Sequence, residues 1–573
     1  MVLPMNTNRS TLDCAYFSME FMLESDIPTY AGGLGVLAGD LMRSCADMSV
    51  PVVGVSLVYN DSTYRQMISP DGKQNYESLV WHKNDQLTKL PNRVEITIQG
   101  EKVVVGVWRY DITGINDFFV PIYFLDTDFM DNSAYARSLT QSLYKGDVRL
   151  AQEVLLGIGG VKMLRELGYN EIKTFHMNEG HASFVPLGLL AEKGFKDEDV
   201  KELCVFTTHT PIPEGHDRFD YDYAYKVAGD NLPWHIKSLA SEKELHMTTL
   251  GMSLSHYIFG VSQKHGKVSQ DMFPQFKINA ITNGVHHRTW IGTELANLYD
   301  KYIPNWITDP KVLADAIEKI PDEELWKSHQ EEKGTLLDHV NNHLTSVSSD
   351  DERKNPSERE EFDIDTLTIS LARRLVPYKR PLLLYSDIER LLAIGEGKLQ
   401  IIQCGKAAPT DETAQNFVKE IIDTSKKLRG RIKIVYLENY SPLLARQLVR
   451  GSDVWLNTPR RPLEASGTSG MKAAMNGVLN FSVLDGWWIE GYKMDSESGF
   501  SIGPMDESLV PENNDAQDID DMYNKLQNEI IPLYYNNKKD WINRMKHAIT
   551  LGAFFNTNRC IQEYREKAWN TRK

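Results

Sequence analysis

From residue 362 onward, apolar β-branched runs alternate with amphipathic stretches at nearly constant spacing. No other feature limits the fold of this chain as tightly. Residues 362–370, 399–404, 431–437, 454–457 and 478–484 read as strands, and 381–394, 413–428 and 443–450 as helices between them. Strands joined in this way form a parallel sheet with right-handed crossovers.

Ligands of such sheets sit beyond the carboxyl ends of the strands. The loops at those ends carry Arg373-Arg374 and Pro377-Tyr378-Lys379-Arg380, then Gly405-Lys406, Glu438-Asn439-Tyr440 and residues 458–472. In a chain of net charge −16, this cluster of cations reads as a site for one or more phosphates. The last loop runs from Glu464 to Gly477. Gly467 and Gly470 allow close backbone approach, and Ala473, Ala474 and Met475 favour helix. A helix entered from small residues offers free N–H groups to a phosphate. Lys472 is placed in the first turn of that helix, against its dipole, as a candidate Schiff-base amine. A surface lysine is the equal alternative. The stretch is not a P-loop, because Met471 precedes the lysine and Ala473 follows it.

The first half is less regular. Residues 14–18 and 51–58 read as strands flanking a glycine turn, Tyr30 to Asp40, that opens a helix ending near Met48. The turn lacks the full dinucleotide spacing and suits either an anion or a tight bend. Residues 94–98, 102–110 and 118–125 are β-rich, and 146–167 reads as a helix. Strands at 173–176, 203–207 and 278–281 lead into Glu179-Gly180-His181, Thr208-His209-Thr210 and Asn283-Gly284. Two α/β domains facing across a cleft would close these loop ends, with Gly32-Gly33, over the cationic edge. His176 and His181 lack a third ligand at metal spacing, and Asp220-Tyr221-Asp222 reads as a solvated face. Charge dominates residues 320–360, and 346–360 has no apolar period. The expected division is a first domain at 1–345, a linker at 346–361 and a second domain at 362–558. At 573 residues the chain exceeds one core. Its 79 acidic against 63 basic side chains argue against nucleic acid or an anionic membrane as partner. Five scattered cysteines, no apolar leader and no long apolar run lead to a cytoplasmic expectation.

These motifs, in this order, resemble the α-glucan (glycogen or maltodextrin) phosphorylases over nearly the whole chain. The resemblance rests on Glu464 to Gly477, Leu437-Glu438-Asn439-Tyr440, Gly405-Lys406-Ala407-Ala408-Pro409, Tyr378-Lys379-Arg380, Thr282-Asn283-Gly284, and His209-Thr210 with Pro213-Glu214. It implies a GT-B glycosyltransferase fold, α/β with two Rossmann-like domains, and a final helix at 559–573 crossing back to the first domain. It implies pyridoxal 5′-phosphate held covalently on Lys472. The implied reaction is phosphorolysis of α-1,4-glucan from the non-reducing end: orthophosphate attacks and glucose 1-phosphate leaves with retained configuration. By the same resemblance Gly467, Thr468, Ser469 and Arg373 hold the cofactor phosphate, and Trp290 and Tyr440 pack near its ring. Arg374, Lys379 and Gly32-Gly33 bind the substrate phosphate. Glu464, His209 and Asn283, with the backbone of Ser466-Gly467, bind the glucosyl unit. No metal is implied.

The departures are local. Val376 stands where longer members have His, and Ser441 where they have Arg. Their lysine loop reads Gly-Asn-Met-Lys where this chain has Ser469-Gly470-Met471-Lys472. These features resemble the short bacterial and archaeal forms. The chain begins close to the catalytic core, so neither the nucleotide and phosphorylation control of long members nor their dimer interface is carried over, and a homo-oligomer stays open. Two other readings stand beside this one. A nucleotide-sugar glucan synthase of the same fold would not need Lys472 in a buried loop. A non-catalytic glucan or phosphate binder would not need Lys472, Arg374, Lys379 and His209 together.

Overall fold

The computed structural model describes residues 11–60, 63–69, 72–144, 146–347, 361–505 and 515–569. The chain forms two compact units. The first is Met1–Thr63, Leu79–His286 and Thr557–Lys573; the second is Tyr64–Ser78 and His287–Asn556. The division therefore falls at residue 286, not in the expected linker at 346–361, most of which lies outside the described residues. The charge-rich stretch before that linker is a long helix, Asp322–Val347. Leu325, Leu336, Leu337 and Val340 form its buried stripe. Two of its polar residues point inward as well: Lys333 and His329 bind the buried Asp453 carboxylate at 2.6 and 2.9 Å. These contacts tie the helix to the second unit.

In the first unit, nine strands form one sheet: β1 (Leu12–Phe17), β2 (Val52–Leu57), β3 (Thr88–Ile98), β4 (Glu101–Thr113), β5 (Phe119–Asp126), β6 (Ile172–Asn178), β7 (Cys204–Thr207), β8 (Tyr257–Gly260) and β9 (Ile278–Ala280). Their order is β9-β8-β7-β6-β1-β2-β5-β4-β3. The run from β9 to β5 is parallel, and β4 and β3 close that side as an antiparallel ribbon. Alternate residues feed two cores: Ala15, Phe17, Val53 and Val55 on one face, Cys14, Tyr16 and Val52 on the other. The second face is covered by the helix Gly33–Asp47 and by the C-terminal segment, through Cys560, Ile561, Tyr564 and Trp569. The helix read at 146–167 is interrupted by a π-helical turn, Leu155–Gly159.

His176 of β6 is wholly buried under that segment. Trp569 donates its indole N–H to His176 Nδ1 at 3.1 Å, so Nε2 carries the proton facing Thr207 Oγ1 at 2.6 Å. Burial lowers its pKa to about 3. The unfolded chain, with an ordinary imidazole, then binds a proton that the folded chain refuses. Stability contributed by the neutral ring is complete above about pH 6.5 and is lost as pH falls toward 3, by about 2 kcal/mol at pH 5. Thermal unfolding should show this acid limb, and His176→Gln should flatten it by about one proton.

The second unit holds β10 (Leu367–Ala372), β11 (Leu399–Cys404), β12 (Lys433–Leu437), β13 (Val454–Asn457), β14 (Leu479–Val483) and β15 (Gly499–Ile502). The order is β12-β11-β10-β13-β14-β15, all parallel. This is the doubly wound arrangement, with its switch point between β10 and β13. The residues of these strands are buried almost throughout, as a sheet covered on both faces requires. β8 and β15 are short, contain glycine and are not apparent from sequence periodicity.

Candidate active site

The switch point of the second unit is built by the loops after β10 and β13. Arg373 leaves β10 and bridges them, donating to Lys379 O at 3.2 Å and to Leu456 O at 2.9 Å. Burial lowers its pKa to about 10, so it remains a cation at neutral pH. Lys379 forms a close ion pair with the Glu464 carboxylate.

Glu464 is held from below by a turn that motif reading passes over, Asp485-Gly486-Trp487 after β14. Asp485 Oδ2 accepts from Glu464 N at 2.8 Å, and Trp487 N donates to Ser466 O at 2.9 Å. Gly486 has φ 53°, and a Cβ there would lie 2.5 Å from Ser466 O. The available signal was an Asp-Gly pair at the carboxyl end of an expected strand, on the same sheet edge.

Gly467 is left-handed at φ 85° and caps the helix Thr468–Ala474. Lys472 consequently sits in the last turn of that helix, not the first, where its charge agrees with the dipole. It is buried, and its Nζ stands 3.8 Å from the ring centroid of the buried Trp290. Asn476 joins the two: its Nδ2 donates to Trp290 O at 3.0 Å and to Lys472 O at 2.8 Å, while Oδ1 accepts from Gly292 N at 2.7 Å. Ser469 Oγ accepts from Trp455 Nε1 at 3.2 Å. Ser466 Oγ is buried without a hydrogen-bond partner among the described residues. An amine over an aromatic face, an orphaned buried hydroxyl, a glycine-led helix entry and the cationic Arg373 fit a phosphate-bearing aldehyde cofactor.

The remaining cations differ in availability. Arg374 is exposed, 3.5 Å from Tyr378 OH. Arg380, one residue after Lys379, is buried and spent on Asp515 and Asp518. Lys406 lies 4.2 Å over the Tyr64 ring, and burial lowers its pKa. Glu438 and Asn439 serve a hairpin, Thr63–Ile68 with Gln74–Leu79: Gln66 N donates to Asn439 Oδ1 at 2.6 Å and Ile68 N to Glu438 Oε2 at 2.7 Å. Tyr440, half-buried, follows them. Ser441 caps the helix Pro442–Gly451.

In the first unit the loops after β1, β6 and β7 meet. His209 Nε2 lies 2.6 Å from Asn178 Oδ1, and Asn178 Nδ2 donates to Ser18 Oγ at 3.0 Å. Glu179, at φ 77°, accepts from His209 N at 2.7 Å, Thr210 Oγ1 at 3.0 Å and Gly180 N at 2.9 Å. Burial lowers the His209 pKa to about 3, so the ring is neutral. The glycine turn is held by Glu20 Oε2, which accepts from Ala31 N at 2.7 Å and Gly32 N at 3.0 Å. Gly33 faces open space, whereas a Cβ on Gly35 would lie 2.6 Å from Tyr30 Cβ. Asn283 Oδ1 is buried without a hydrogen-bond partner among the described residues, and its main-chain oxygen accepts from Arg559 at 3.1 Å. Asp220 is the N-cap of the helix Tyr221–Ala228, accepting from Asp222 N at 2.8 Å. No helix among the described residues is long and apolar enough to cross a membrane.

Two parallel-sheet units, with polar groups gathered at their strand ends, define a glycosyltransferase of the GT-B class. The family profile for carbohydrate phosphorylase matches residues 212–517, and that for the starch synthase catalytic domain matches residues 22–276. A maltodextrin phosphorylase of Thermococcus litoralis is 37% identical over 595 residues, covering 97% of this chain and 70% of that protein. A glycogen phosphorylase of Aquifex aeolicus is 35% identical, covering 97% and 86%, and one of Mycobacterium tuberculosis 33% identical, covering 96% and 70%. The chain belongs to the carbohydrate phosphorylase family.

Proposed function

We propose that this protein cleaves α-1,4-glucan with orthophosphate at the non-reducing end, releasing glucose 1-phosphate with retained configuration. Pyridoxal 5′-phosphate on Lys472 would be its cofactor. The observation that carries the reading is the buried Lys472 amine over Trp290, at the end of a glycine-led loop whose Ser466 hydroxyl lacks a partner among the described residues.

When bound, the cofactor supplies a phosphate group that can exchange a proton with the substrate phosphate. The chain's own residues do the rest. Arg373, from its buried seat, would neutralise the cofactor phosphate, and Gly467, Thr468 and Ser469 would hold it. Arg374 and Lys379, with the Gly32-Gly33 turn, receive orthophosphate; dense cation placement lets two anions approach and stabilises the charge that moves between them. Glu464 accepts from a glucosyl hydroxyl. Asn283 Oδ1 accepts another, which would satisfy its orphaned oxygen. The neutral His209 is an orienting group, not the acid. Its Nε2–H is committed to Asn178, and an imidazole with a pKa near 3 carries no second proton at neutral pH. Trp290 and Tyr440 would flank the cofactor ring.

Two measurements test this. Borohydride treatment followed by peptide mass should find a reduced pyridoxyl adduct on Lys472. Maltodextrin plus phosphate should yield glucose 1-phosphate in a coupled assay. The starch synthase match over residues 22–276 gives the nucleotide-sugar reading its place. Glucosyl transfer from a sugar nucleotide, without the adduct, would favour it instead.

A further inference from the structure

We propose that Asp518 is a positioning residue that sets the Lys379–Glu464 pair by clamping the two loops that carry it. The proposal rests on the reading of Lys379 and Glu464 as substrate ligands. Arg380 directly follows Lys379, and Arg461 precedes Glu464 by three residues. Asp518 Oδ2 accepts from Arg380 at 2.6 Å and Oδ1 accepts from Arg461 at 2.5 Å. One carboxylate thus takes one guanidinium from the β10 loop and one from the β13 loop. All three side chains are buried, with 3% of Asp518, 6% of Arg380 and 8% of Arg461 exposed. A charge pair so far from water tolerates little displacement, because either partner left alone would be a buried unpaired ion.

The surrounding groups extend the clamp. Arg380 also donates to Thr458 O at 2.9 Å, Pro459 O at 2.8 Å and Asp515 Oδ1 at 2.8 Å. It does so from φ 47°, a conformation that non-glycine residues hold only when the surroundings fix it. Arg460 N donates to Tyr378 O at 2.7 Å, and its guanidinium binds Asp515 Oδ2 at 2.7 Å. Asp515 and Asp518 lie three apart at the start of the helix Asp515–Lys525, on one face, where the dipole favours carboxylates. Gly503, at φ 80°, makes room for the clamp: a Cβ there would lie 2.1 Å from Asp518 Oδ1 and 2.8 Å from Arg461.

Of the six cations on or beside these two loops, Arg380, Arg460 and Arg461 are therefore neutralised by helix carboxylates. Arg373 and Arg374 have no carboxylate partner among the described residues, and Lys379 pairs with Glu464 within the site itself. The clamp both fixes the spacing of Lys379 and Glu464 and removes competing positive charge.

The test compares holoenzyme of the wild type with Asp518→Asn, Arg461→Gln, the double variant, and Asp520→Asn. Asp520 is on the same helix but exposed, and serves as control. Wild-type phosphorolysis is measured first; its absence would overturn the functional reading and the proposal with it. With an active wild type, each clamp variant should keep its pyridoxyl adduct but lose about tenfold or more in kcat. KM for phosphate and KM for glucan should both rise, because the displaced pair, Lys379 and Glu464, binds one substrate each. The double variant, with a neutral amide facing a neutral amide, should recover part of the Asp518→Asn loss. Asp520→Asn should match the wild type. If Asp518→Asn does not fold, Arg461→Gln alone decides, since Asp518 then keeps Arg380. A lower melting temperature with unchanged kcat and KM per cofactor-bearing molecule would reduce Asp518 to a structural residue and overturn the proposal.

Discussion

Lys472→Ala should yield a folded protein without cofactor, and phosphorolysis should fall by about 10³-fold or more. Folding should survive because alanine is the strongest helix former and the helix Thr468–Ala474 is held independently by Gly467, Asn476 and Trp455. Lys472→Arg separates the two roles the lysine could play. Arginine keeps a cation that can stack over Trp290, in place of the 3.8 Å contact, but it cannot act as a covalent amine. Both variants should lack the borohydride-fixed adduct, and the arginine variant should be as inactive as the alanine variant. Substantial activity in Lys472→Arg would mean that the charge matters and the tether does not. The melting temperature of either variant should stay within a few degrees of the cofactor-free wild type, about what one lost contact costs in a unit this size.

Much of this site could be read from residues close together in sequence. Buried strands such as β10 and β11 are continuous apolar runs, and cations just beyond them fall at the carboxyl edge by topology alone. Which cation serves a ligand could not be read in that way. Arg373, Arg374 and Arg380 are chemically alike and lie within eight positions, yet Arg380 is taken by carboxylates 135 and 138 residues away. The turn of the helix that holds Lys472 depended on the left-handed backbone of Gly467, a conformational fact that glycine permits but does not dictate. The position of the division between the units failed for a related reason. Charge dominates 320–347, yet Lys333 and His329 are turned inward to Asp453, and only a tertiary partner makes buried lysine intelligible. Glu438-Asn439, a recognisable motif, hydrogen-bonds the backbone of a hairpin from the far N-terminal part of the chain.

Arg374 is the counterpart of Arg380, and substituting it should give the opposite phenotype. Its side chain is exposed and among the described residues makes one long contact, 3.5 Å to Tyr378 OH, so removing it strands no buried charge there. Arg374→Ala should therefore melt like the wild type and carry the full pyridoxyl adduct on Lys472. Its kinetic loss should be confined to phosphate. A guanidinium that grips phosphate through paired N–H bonds contributes about 2–4 kcal/mol where charge develops, so kcat/KM for phosphate should fall by roughly 30- to 1,000-fold. KM for glucan, set in this reading by Glu464, His209 and Asn283, should change little. Arg374→Lys should recover only part of the loss, because an ammonium restores charge without the planar pair of donors. Arg380→Ala, by contrast, leaves Asp518 with one partner fewer in a buried setting and should lower the melting temperature before any kinetic effect can be assigned. Unchanged phosphate dependence in Arg374→Ala would move the substrate-phosphate site elsewhere. Of the cations assigned to the substrate phosphate only Lys379 would then remain, and it is paired with Glu464, so the two-anion arrangement would lack the positive charge it requires.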